Sequence, residues 1–327
     1  MRIFLIALRV AFAVYAGLAL CALVVRPAAA VSWSNPHHAY ITFSDASESY
    51  PWRVEEISLN KHPKPPQSLL GQFCVLDGLA IGPRGNLYIA GLFGEQCNPA
   101  IEIFAPGAHG RDSPTAVIEG SLTELNLPES IAFDRAGNLY DAQVEGSLPT
   151  GAINEYAAGA TGNVAPIARI AGAQTGLGYV FGLAVDDRGE IFTDQIDGIG
   201  SKLSKFAAGS TGNIAPEASA TVNSTNEINV SGNTLYASMP TYRRFNPSVD
   251  EFSTNDFSMT GTLTNSRFTF PFVDVDSQGR MYVQNFIHND LRQLRGQLFE
   301  FGAGGEGPDR VRFDGLAEVG GYITVGP

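Results

Sequence analysis

The residues able to do chemistry are dominated by oxygen donors. Glu129, Asp194, Glu227, Asn229 and Asp274 recur at spacings of roughly one structural unit, and carboxylate and amide oxygens are the ligands that suit Ca²⁺ or Mg²⁺. A bound ion of that kind would polarise a carbonyl or activate a water for ester opening. The other reading of the same residues is that they form turns and cap loops. A second series is made of amides: Gln143, Gln195 and Asn285 fall at equivalent places in the repeat described below. They could hydrogen-bond a ligand or satisfy the carbonyls of neighbouring loops, as buried amides must. A third group, Tyr242, Arg243, Arg244 and Arg292, lies in two segments that depart from the repeat. Adjacent arginine and tyrosine suit a recognition surface for an acidic or carbohydrate ligand, or pair with an acidic surface. Histidine is scarce, with 5 in the chain, so a His-dependent triad or zinc cluster has little to draw on. Gly-x-Ser-x-Gly, phosphate-loop and Cys-x-x-Cys motifs are absent from the sequence.

These groups must be positioned by short strands. Gly78-Leu79-Ala80-Ile81 leads through a turn to Gly85-Asn86-Leu87-Tyr88, Ile131-Ala132-Phe133-Asp134 to Gly137-Asn138-Leu139-Tyr140, and Gly182-Leu183-Ala184-Val185-Asp186 to Gly189-Glu190-Ile191-Phe192. Weaker copies surround Gly232 and Gly279. Glycine turns between β-prone runs predict tight hairpins. Third strands recur at Ile101–Phe104, Ile153–Tyr156, Leu203–Phe206, Val249–Phe252 and Leu298–Phe301. A loop of nearly constant wording follows three of them: Ala157-Ala158-Gly159-Ala160-Thr161-Gly162-Asn163 before Pro166, again from Ala207 to Pro216, and loosely from Ala105 to Pro114.

Five four-strand units run from about Gly78 to Asp314. Strand-like segments at Ala39–Phe43, Val54–Ile57 and Gln67–Leu70 precede them, and Gly315–Val319 and Gly321–Val325 follow. The two ends together make a sixth unit, which predicts an all-β, six-bladed β-propeller closed by pairing of the N- and C-terminal strands, a solution that hides sheet edges. Here Gly315–Val319 is expected as a first strand, and the segments around Tyr40 and Tyr322 compete for the second. A seventh blade would lack several strands.

The apolar first strand, Asp-x-x-Gly-Asn turn and Leu-Tyr second strand resemble NHL-type and SMP-30/gluconolactonase-like six-bladed propellers, and the Ala-Ala-Gly-x-Thr-Gly-Asn loop resembles an exported bacterial subgroup of NHL-like repeats. That resemblance implies the propeller fold. Its members include lactonases, lyases and binding platforms, so it implies no single activity. The lactonase-like members hold their metal with a Glu, an Asn and an Asp in the channel, but the short motifs around such ligands have no residue-by-residue match here. In such a ring the first strands line the channel, and the face built from the loops that lead into them collects Asp77, Glu129, Tyr179, Glu227, Asn229, Phe272 and Asp274.

The amino terminus reads as an address. Arg2 and Arg9 precede an apolar run from Val10 to Val25, and Ala28-Ala29-Ala30 offers a cleavage point, so residues 1–30 are expected to be a signal peptide and 31–327 a single domain, secreted or periplasmic. Removing that segment leaves Cys74 and Cys97, an even pair expected to form a disulfide in an oxidising compartment. With 44% hydrophobic residues the chain supports a globular core. Its net charge of −12 repels nucleic acid and anionic membrane. The expected product is a monomeric binding module for a protein, glycan or small ligand; the alternative is a hydrolase aided by Ca²⁺ or Mg²⁺.

Overall fold

The computed structural model describes residues 38–44, 52–60, 65–146, 150–197, 200–240, 247–288, 294–303, 310–316 and 319–326. These form six four-stranded antiparallel sheets and no helix, a six-bladed β-propeller. Blade 1 contains β4 (Phe73–Ile81), β5 (Leu87–Phe93), β6 (Asn98–Phe104) and β7 (Ala116–Ile118). Blade 2 contains β8 (Leu127–Phe133), β9 (Leu139–Glu145), β10 (Thr150–Tyr156) and β11 (Ala168–Ala171). Blade 3 contains β12 (Val180–Val185), β13 (Ile191–Asp197), β14 (Gly200–Phe206) and β15 (Ala218–Val222). Blade 4 is β16 (Glu227–Ser231), β17 (Thr234–Met239), β18 (Ser248–Ser253) and β19 (Met259–Thr264). Blade 5 is β20 (Phe270–Val275), β21 (Arg280–His288), β22 (Leu294–Ala303) and β23 (Arg310–Leu316).

The sixth blade is composite, with order β24 (Val319–Gly326), β1 (His38–Ser44), β2 (Trp52–Ser58) and β3 (Gln67–Leu70). This closure corrects the expected strand assignment. Gly315 and Leu316 end β23, the outer strand of blade 5, while the segment containing Tyr322 is the innermost strand and pairs antiparallel with β1, Ile323 opposite Ile41. Tyr40 therefore keeps the second slot and Tyr322 falls in the first. Both segments alternate apolar residues with period two, so local sequence cannot rank them; the ring geometry does.

Each seam between neighbouring blades is filled by one apolar cluster. Ile101, Ile103 and Ile118 of blade 1 meet Ile131, Leu139 and Tyr156 of blade 2, and comparable sets occupy the other five seams. The repeated turn has a direct cause. Asp134 accepts bonds from the Asn138 backbone (2.8 Å) and side chain (2.8 Å), and Gly137 at φ 87° donates to the Asp134 carbonyl. Asp186 and Asp276 do the same for the backbones of Glu190 and Arg280. The aspartate satisfies amides that a two-strand reversal would leave open, and glycine adopts the left-handed conformation.

The constant Thr-Gly-Asn loop has a separate task. Gly110, Gly162 and Gly212 each form a parallel bridge to the outer strand of the preceding blade, at Leu69, Ile118 and Ile170. Asn163 then accepts from the Leu122 amide at 2.7 Å, and Asn213 from Gln174 at 2.7 Å. Blade 4 has instead a short connection from Thr254 to Ser258, whose Phe257 packs edge-on against Phe192 of blade 3. A buried ring there replaces the backbone clasp.

Candidate functional site: the channel mouth and the seam of blade 2

The first strands of blades 1, 2 and 3 each carry a register shift, between Leu76 and Gly78, Pro128 and Ser130, and Val180 and Gly182. The extra residues are Asp77, Glu129 and Phe181. A bulge re-aims one side chain without breaking the ladder. Phe181 and Tyr179 of blade 3 pack with the cluster of the blade 6–blade 1 seam, so both rings reach across the axis rather than into their own seams. Their centroids are 4.6 Å apart, and the Tyr179 hydroxyl donates to Glu129 Oε1 at 3.1 Å. Beside them Ile196, whose amide bonds the Tyr179 carbonyl, is 47% exposed. The mouth thus presents the partly buried Tyr179 ring and the open Ile196 side chain, with Phe181 and the Glu129 carboxylate buried beneath them.

The other carboxylates anticipated as ligands lie along the inner strands. Glu227 accepts from the Val273 amide of the next blade at 2.6 Å, and Asp274 from the Val325 amide at 2.8 Å. Asn229 donates to Asp274 Oδ1 at 2.5 Å, so that pair does converge. Asp194 is apart from them, in the seam of blades 3 and 4, bonded to the Thr225 hydroxyl. Burial pushes its carboxyl up to about 6, opposed by the Thr225 and Ser201 hydroxyls. Among the described residues no group of three or more His, Cys, Asp or Glu side chains is arranged to hold a metal ion.

The three amides occupy equivalent sites and share one geometry. Gln143 accepts from the Asn126 amide (3.0 Å) and donates to the Glu124 carbonyl (2.8 Å). Gln195 accepts from Gly178 (2.7 Å) and donates to Gly176 (2.9 Å), while Asn285 accepts from Thr269 (2.7 Å) and donates to Arg267 (2.6 Å). Each one staples the loop leading into its own blade. Tyr242, Arg243, Arg244 and Arg292 lie outside the described residues, as does the segment expected to be a signal peptide. Cys74 and Cys97 form a disulfide, with Cα atoms 5.7 Å apart, that ties the start of β4 to the turn between β5 and β6 on the same face.

One constellation escaped the sequence reading. Asp141 stands opposite Ile131, at the level where the other complete blades have Ile89, Thr193, Ala237 and Val283. Asp141 is fully buried, and burial pushes its carboxyl up to about 8 despite the nearby Arg169 guanidinium and Asn154. Arg169 in turn bonds Asn154 Oδ1, Glu145 Oε1 and, at 3.1 Å, Glu124 Oε2. Glu124 holds φ 56° where the repeat places Gly176 at φ 62°. Superposing the repeats on the turn motif exposes all of these departures, since polar residues replace an otherwise mostly apolar or small level.

No family model matches the chain, and no curated protein matches it. Solved structures do, as folds. TolB from Acinetobacter baumannii is 10% identical with a TM-score of 0.56, covering 89% of this chain and 67% of its own. The PQQ-bound aldose sugar dehydrogenase of Streptomyces coelicolor is 12% identical with a TM-score of 0.50, covering 90% and 95%. Kuenenia stuttgartiensis hydrazine synthase is 13% identical with a TM-score of 0.51; the alignment covers 72% of this chain and 65% of that one. At such identities the likeness is one of propeller architecture.

Proposed function

We propose that this chain is an extracytoplasmic, NHL-like propeller that acts as a monomeric binding module, taking a small ligand or glycan at the channel mouth. The observation that carries the reading is the Tyr179–Phe181 pair aimed across the axis with Glu129 on the Tyr179 hydroxyl. The exposed face of the Tyr179 ring receives the apolar face of a sugar or small ring, and the buried Glu129, accepting from the Tyr179 hydroxyl, fixes the orientation of that ring. The disulfide supports an oxidising compartment. Tyr242, Arg243, Arg244 and Arg292 are proposed on sequence alone as contacts for a larger partner.

The test is a glycan and metabolite array followed by calorimetric titration of the hits. Tyr179→Ala is expected to weaken the best ligand at least tenfold, about 1.4 kcal/mol, the scale of a lost aromatic contact. Unchanged affinity in a folded variant refutes the assignment of the mouth. Elemental analysis and a lactone panel test the competing hydrolase reading, and turnover supported by a stoichiometric divalent ion would favour it over simple binding.

A further inference from the structure

We propose that the seam between blades 1 and 2 is a proton-controlled latch, in which Arg169 holds the loop carrying Glu124 while Asp141 is neutral and abandons it when Asp141 ionises. The proposal stands apart from what the mouth binds. Its basis is geometric. Arg169 is shared between a buried level, Asn154, and an exposed one, where the Glu124 side chain is 50% accessible. Glu124 also keeps a left-handed backbone, uncommon for a non-glycine residue, with its carbonyl held by Gln143 and its side chain by Arg169. The same loop runs from Thr123, whose carbonyl accepts from Tyr156 at 2.5 Å, to β8 and Glu129 at the mouth.

The charged and titratable groups around Asp141 are few. Arg169 comes from β11, Glu145 from its own strand β9, Tyr156 from β10 and Glu124 from the loop. The packed face of blade 1 adds Tyr88 beside apolar side chains. At neutral pH the carboxyl, pushed up to about 8 by burial, keeps its proton and makes little demand on the guanidinium. An anion in that low-dielectric site attracts Arg169 far more strongly than the solvated Glu124 does. The proton leaves to solvent, Arg169 turns inward, and the loop loses its side-chain tether at Glu124 while keeping the bonds to Gln143, Tyr156 and Asn163.

Hydrogen exchange on the folded mature chain tests this, reading the peptide over residues 120–126 from about pH 6.5 to about pH 9.5 and correcting for intrinsic exchange. Protection is expected to fall about tenfold across that range, equivalent to one pKa unit of coupling. Asp141→Asn, which cannot ionise, is expected to hold protection constant. Glu124→Gln, at an exposed position that leaves folding intact, is expected to show the low-protection loop at every pH. A flat wild-type profile, an Asp141→Asn profile that still falls, or a Glu124→Gln loop protected at pH 6.5 overturns the proposal.

Discussion

Replacing Asp141 by Asn removes a titratable group from a site that excludes water. The unfolded chain releases the Asp141 proton near its ordinary value of 3.8, whereas the folded protein retains it to about 8. Between these values the native state binds more protons than the unfolded state, so stability falls as pH rises and levels off above the folded value. Each unit corresponds to roughly 1.4 kcal/mol. At pH 7, about three units above the unfolded value, the wild type has therefore lost on the order of 4 kcal/mol relative to acid conditions, a deficit Asp141→Asn does not carry. Urea unfolding of both proteins at pH 5, 6, 7 and 8, with the disulfide intact, measures the difference. The advantage of the variant is expected to grow steadily over that range. A constant difference between the two proteins would show that Asp141 is ionised in the native state and would remove the basis for a neutral acid in this seam.

Two further outcomes follow from the same framework. Removing the disulfide with Cys74→Ser and Cys97→Ser frees a loop of 23 residues, and loop entropy puts the loss at about 3 kcal/mol, seen as a lower thermal midpoint without change of fold by circular dichroism. At Gly172 an added Cβ would lie 2.6 Å from the Asn213 side chain, and φ is 121°; Gly172→Ala is expected to cost about 1–3 kcal/mol. Pairing it with Asn213→Ala is expected to restore part of that loss, and strict additivity in the double-mutant cycle would disprove the clasp.

Much of the fold was legible because a propeller repeats its local chemistry. The Asp-x-x-Gly turn satisfies its own amides within five residues, so its sequence specifies its shape. The β-prone runs around it alternate with the period of a strand, and the even pair of cysteines foretold the disulfide. The constant loop was equally visible as a motif, yet its role was not, since Gly162 and Asn163 act on residues of the preceding blade some forty positions away.

What the tertiary structure alone decided is which residues meet across seams and across the axis. Tyr40 and Tyr322 lie in segments of similar pattern, and only closure of the ring assigns one to the second strand and the other to the first. Tyr179 reaches Glu129 because a bulge and the channel bring two blades together, and Asp141 meets Arg169 through strands that pair within one sheet. Local sequence sets backbone conformation through short-range sterics and hydrogen bonds. The energy of a buried charge depends on neighbours distant in the chain, and those are known only once the blades have packed.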